Sequence, residues 1–178
     1  MTGRSRLGRA PAGGAPEDDP VAIDSTYTWA AAPDAALALL TDEQFLRDRG
    51  AALGAEVQDV TVSGTGTTSR LAAPTKGIPP VFARFVGSSV SFVERTTWTP
   101  DGAGGYRGAL EARAEVFGRA VVVSGERRLV PEAAGTRSTV HADVTVNAPF
   151  IGAQAASAVS QLVELVLRRE DELVRQRL

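Results

Sequence analysis

The sequence predicts one α+β domain, a curved antiparallel sheet of about seven strands wrapped around a long C-terminal helix, with two short helices after the first strand. Three observations predict it. Residues 21–29 and most of the stretch 56–146 alternate with period two, as half-buried strands do. Short loops join consecutive strands, which makes a meander. From Pro149 onward, apolar residues recur at three- and four-residue spacing over roughly 25 residues, as in an amphipathic helix.

In the first strand Ile23, Ser25, Tyr27 and Trp29 share one face, and Asp24, Thr26 and Thr28 the other. Ala32-Pro33-Asp34 starts a helix, with Pro in the first turn and an acid to complement the dipole. Ala36, Leu37 and Leu40 are its apolar face. Thr41 and Gln44 have capping-box spacing ahead of a second helix that carries Phe45, Arg49 and Leu53 and stops at Gly54. Strands are predicted at 56–63, 67–73, 90–98, 106–117, 119–130 and 136–146, with a helical turn at 81–86. Gly64-Thr65-Gly66 and residues 101–105 are turns. The last helix presents Ile151, Ala155, Ala158, Val159, Leu162, Val166 and Leu173 on one stripe, and its charged end, 168–177, is expected to project into solvent.

Composition narrows the function. The 178 residues suit one domain, residues 21–178, behind a disordered tail at 1–20 that lacks the apolar stretch of a secretory signal. With no Cys and one His, the chain has no disulfide framework, thiolate metal site or two-imidazole site. One Lys and a net charge of −2 argue against a nucleic-acid partner. The uncharged run 144–163 holds Asn147, Pro149, Gly152 and Gln154, too polar and broken for a membrane span. Gly64-Thr65-Gly66-Thr67-Thr68-Ser69 lacks the third Gly of a dinucleotide fingerprint. No clustered carboxylates suggest a metal, and no cofactor is expected. The expected location is cytoplasmic.

Strand parity sorts the candidate site residues. On 106–116, Tyr106, Gly108, Leu110, Ala112, Ala114 and Val116 oppose the charged face formed by Arg107, Glu111, Arg113 and Glu115. The small members leave room for a pocket under the helix. On 90–98, Phe92 and Trp98 point inward, and Glu94 with them. A carboxylate there needs a partner, and Arg127, in phase with Val123 and Leu129, is the candidate. His141 falls on the polar face of its strand beside Asp143. It makes no triad with Ser124, because no nucleophile elbow is present.

This element order resembles the helix-grip order of the START and polyketide-cyclase (SRPBCC) superfamily. Phe82-Ala83-Arg84-Phe85-Val86-Gly87, Val123-Ser124-Gly125, Leu129-Val130-Pro131, Gly135-Thr136-Arg137 and Val146-Asn147-Ala148-Pro149-Phe150-Ile151-Gly152 are similar to one uncharacterised branch found mainly in high-GC bacteria. The 29 alanines and the preference for Arg over Lys fit such a genome. Ala155 and Ala156 stand where that branch suggests an acidic residue. The resemblance implies a cavity between sheet and helix that holds an apolar small molecule.

The resulting expectation is non-catalytic binding or carriage of a lipid, isoprenoid or polyketide-like molecule. Phe92, Glu94, Trp98, Tyr106, Leu110, Arg127, Val159 and Leu162 are the ligand-binding candidates. Two readings stay open beside it. One is a cyclase or dehydratase with Glu94 as acid or base. The other is a packed domain that works through a protein partner. The oligomeric state is left open.

Overall fold

The computed structural model describes residues 20–75, 88–116, 118–148 and 152–178. Residues 1–19 of the tail expected at 1–20, the helical turn at 81–86, and the motif residues at 82–87 and 149–151 lie outside the described residues. The elements are β1 (Val21–Trp29), α1 (Pro33–Leu40), α2 (Glu43–Ala52), β2 (Glu56–Ser63), β3 (Gly66–Pro74), β4 (Ser89–Pro100), β5 (Tyr106–Val116), β6 (Arg119–Glu132), β7 (Gly135–Val146) and α3 (Gly152–Arg177). The strands form one sheet in the order β1-β7-β6-β5-β4-β3-β2. Every neighbouring pair is antiparallel. The fold class read from the sequence is the one observed.

The alternation sets the faces as expected. On β7 Thr136, Ser138, Val140, Ala142, Val144 and Val146 are buried, and His141 is exposed. His141 Nδ1 meets Asp24 Oδ1 at 2.8 Å on the outer face. One core cluster joins Ile23, Val123, Val140 and Val144 to Ala156 and Leu167 of α3. A second joins Trp29, Trp98 and Leu129 to Ala36, Leu37, Leu40, Phe45 and Val174.

Glycine lets backbones approach where the sheet is tightest. A Cβ on Gly125 would lie 2.1 Å from the His141 carbonyl oxygen, and one on Gly108 would lie 2.8 Å from the Trp98 ring. The Trp98 indole therefore lies over Gly108, which is its register partner.

Three expectations are corrected. The cap of α2 is Asp42, not Thr41. Its carboxylate accepts from the Phe45 N–H at 2.7 Å, while the Thr41 hydroxyl donates back to the Leu37 carbonyl at 2.8 Å. Asx side chains favour this N-cap role, and Thr41 is already the C-cap of α1. The buried stripe of α3 is Gly152, Ala156, Ser160, Leu167, Glu170 and Val174, rotated from the one expected. Leu162 and Leu165 are 43% and 44% exposed. Nor does the charged end of α3 project into solvent. The Trp29 indole donates to Asp171 at 2.8 Å, Arg177 pairs with Asp48 of α2, and Val174 is fully buried.

Candidate functional site

Between the sheet and the helices lies a partly open cavity of about 120 Å³. Its apolar wall includes Leu40, Leu46, Trp98, Leu110, Ala112, Val123, Val163 and Leu167. Its polar wall includes Arg49, Thr67, Ser69, Glu94, Thr96, Arg127 and Glu170. Register explains the wall. Ser69, Glu94, Ala112 and Val123 form one inward row across four strands, and Thr67, Thr96 and Leu110 form the next. The small side chain of Ala112 in the middle of that row leaves space beside Glu94.

The charged members form a chain of ion pairs. Arg49 of α2 pairs through Nη2 with Glu94 of β4, and its Nη1 donates to Glu170 Oε2 at 2.7 Å. Glu170 of α3 pairs through Oε1 with Arg127 Nη2 of β6 at 2.6 Å. Side-chain exposure is 3% for Glu170, 8% for Arg127, 12% for Arg49 and 24% for Glu94, so Glu94 is the outermost group. Burial pushes the Glu170 carboxyl up, but the charges of Arg127 and Arg49, with the hydrogen bond from Arg49, outweigh it. Its pKa ends below the ordinary value. Burial likewise pulls the Arg49 guanidinium down, and Glu94 and Glu170 more than reverse it. The pair is therefore ionised at neutral pH.

This corrects the expected pairing of Glu94 with Arg127. The register places Val123, not Arg127, in the row of Glu94. Arg127 is displaced four residues, or ~13 Å, along β6 and lies two strands, or ~10 Å, across. Arg49 and Glu170 bridge the gap. Sequence reasoning passed over both as functional groups, although each carries a helical signal. Arg49 is one turn after buried Phe45, and Glu170 lies three residues after Leu167 and four before Val174.

Hydrogen-bonding capacity is left over. Among the described residues, Arg49 Nε, Arg127 Nε, Arg127 Nη2 and Glu170 Oε1 are buried with no hydrogen-bond partner in the protein. The close approach of Arg127 Nη2 and Glu170 Oε1 is an ion pair without hydrogen-bond alignment.

Of the residues expected at the site, Glu94, Trp98, Leu110 and Arg127 come together on this cavity. Phe92, Tyr106, Val159 and Leu162 do not line it. Phe92 lies on the inward face of β4, between Leu71 and Ala114. Tyr106 packs on the second core cluster, with its hydroxyl donating to Asp34 at 2.7 Å. Val159 packs against the first cluster. Leu162 is exposed because the small residues of the neighbouring stripe bring that other face of α3 onto the sheet.

A seven-stranded antiparallel sheet gripping a long C-terminal helix, with two short helices after β1, is the START-like helix-grip fold. Solved structures share it. A protein from Thermus thermophilus aligns with a TM-score of 0.56 at 20% identity, over 86% of this chain and 97% of that one. One from Rhizobium leguminosarum gives 0.60 at 12% identity, over 89% and 96%. A STAR-related lipid transfer protein fragment from Xanthomonas axonopodis gives 0.58 at 17% identity, over 85% and 84%. The family described as "Protein of unknown function (DUF2505)" matches residues 24–178, and the chain belongs to it. No curated protein matches the chain. No helix among the described residues is long and apolar enough to cross a membrane.

Proposed function

We propose that the chain binds an apolar small molecule, of lipid, isoprenoid or polyketide-like class, in the cavity under α3. One observation carries the reading. Apolar side chains and a network of mostly buried charged groups together line a partly open space of about 120 Å³. The fold supports it by analogy, since the Xanthomonas axonopodis neighbour is named a lipid transfer protein. Sites for drug-sized ligands run from about 300 to 1,000 Å³. A space of about 120 Å³ holds one ring or a short branched segment, so it takes one end of such a molecule, and the rest leaves through the open side. The role is binding rather than turnover. Glu94, the acid or base of a cyclase reading, is engaged by Arg49.

Native mass spectrometry of freshly purified protein, with extraction and identification of any co-purifying compound, tests the reading. A bound apolar compound supports it. Ala112→Leu fills the cavity wall and is expected to abolish that adduct. A clean apo mass, with no shift across a lipid panel, overturns the reading and favours a packed domain that acts through a protein partner.

A further inference from the structure

The polar wall has a second part, which the ion pairs do not use. Thr67 and Ser69 of β3 lie in the inward rows of Thr96 and Glu94 and line the cavity. They are 8% and 3% exposed. Neither hydroxyl has a hydrogen-bond partner among the described residues, and neither oxygen is sealed off as the unpartnered atoms of Arg49, Arg127 and Glu170 are. The cavity is where each can meet one. Leu71, next in the same inward series, is apolar and 1% exposed. A valine at 67 or an alanine at 69 would continue that series. A buried hydroxyl with no protein partner has nothing to set against its desolvation. The two hydroxyls therefore do not serve the fold, and a polar group kept where the fold favours an apolar one points to a ligand.

Glu94 narrows the chemistry of that ligand. It is the register partner of Ser69, so their Cβ atoms lie about 5 Å apart. Arg49 holds its Oε2, while Oε1 has no hydrogen-bond partner among the described residues and is not sealed off. That oxygen accepts a hydrogen bond and repels an anion. A ligand hydroxyl can donate to Glu94 Oε1 and accept from Ser69 or Thr67. A carboxylate can only accept, and it meets the Glu94 charge. A hydrocarbon end meets none of these groups. We propose that Thr67 and Ser69 are ligand-binding residues and that, with Glu94, they seat a hydroxyl group, alcohol or phenol, at the buried end of the apolar ligand. The proposal rests on the reading of this cavity as a ligand site.

Phenol, toluene and benzoate are one-ring probes, and their affinities are read by titration calorimetry on the full chain. On the unaltered protein, phenol is expected to bind about fivefold more tightly than toluene, and benzoate more weakly than phenol. In Ser69→Ala and in Thr67→Val, phenol is expected to lose about fivefold while toluene changes by less than about twofold. Without ligand, both variants are expected to melt no lower than the unaltered chain, because each removes a buried hydroxyl that has no protein partner. A lower melting point, or a variant that does not fold, would overturn the proposal by showing that the hydroxyl serves the fold. Toluene bound as tightly as phenol would overturn it and leave the ligand site standing, with the hydroxyls meeting only water. A phenol preference that both variants keep would overturn the role of Thr67 and Ser69. Benzoate bound most tightly would overturn it in favour of an anion site. No binding of any probe would overturn site and proposal together.

Discussion

Glu170→Gln tests what the ion-pair network contributes. The substitution keeps the shape of the side chain and removes its charge. Glu170 is 2% exposed and holds Arg49 at 2.7 Å and Arg127 at 2.6 Å. Arg49 retains Glu94, but Arg127 has no other ion pair among the described residues. One buried guanidinium is then uncompensated, which costs about 3–5 kcal/mol. For a chain of this length, each kcal/mol lowers Tm by about 2–4 °C, so the melting point falls by about 6–20 °C. Thermal unfolding followed by circular dichroism measures it, with Glu164→Gln on the exposed face of α3 as the control. The double variant Arg127→Met with Glu170→Leu removes both charges, and it is expected to recover most of the loss, because a buried pair replaced by apolar groups is often neutral. A loss below about 0.5 kcal/mol for Glu170→Gln would refute the reasoning. So would a double variant as unstable as the single one.

The same carboxylate gives a pH dependence. Its pKa in the folded chain lies below the ordinary 4.5, so its stabilisation is complete above that value and is lost as pH falls through the folded pKa. The Tm gap between the unaltered chain and Glu170→Gln is therefore expected to close as pH falls below about 4.5, and a gap that widens there would contradict the assignment. Asp42→Ala removes the cap of α2 and is expected to cost about 1 kcal/mol in urea unfolding. Gly125→Ala drives a methyl group onto the His141 backbone and is expected to cost about 1–3 kcal/mol in the same assay. Leu162→Ser lies on the exposed face of α3 and is expected to shift stability by less than about 0.5 kcal/mol.

Strands were legible because each face of a strand repeats with a period of two. Glu94 and Arg127 were found that way, since an inward Phe92 and Trp98 oblige Glu94 to point inward, and Val123 and Leu129 do the same for Arg127. The stripe of α3 was misread for a chemical reason. Its buried positions include Ser160 and Glu170, while Leu162 and Leu165 lie outside it, so hydrophobicity points to the wrong face. Glu170 is tolerated inside only because Arg49 and Arg127 reach it, and both are far away in the chain. No local pattern encodes such a partnership. The cap of α2 turned on a single residue, where two adjacent side chains both had capping chemistry.

The network also bears on why the cavity stays open. Apolar packing has no preferred direction, and a helix held only by apolar contacts can shift to fill a void. The N-terminal half of α3 is held that way, through Ala156, Ala155 and Val159 in the cluster with Ile23, Val123, Val140 and Val144 of the sheet. Its other half is held by directional bonds. Glu170 is gripped from two sides, by α2 and by β6, and Asp171 and Arg177 tie the following turns to β1 and α2. Sliding α3 by even one residue, about 1.5 Å, would break these contacts together. The cavity lies beside this clamp, lined by Val163, Leu167 and Glu170 of the same helix. Collapse onto the space would therefore expose or unpair buried charges, at a cost above the gain from filling it. The charged groups on the polar wall of the cavity are thus also the groups that keep it open.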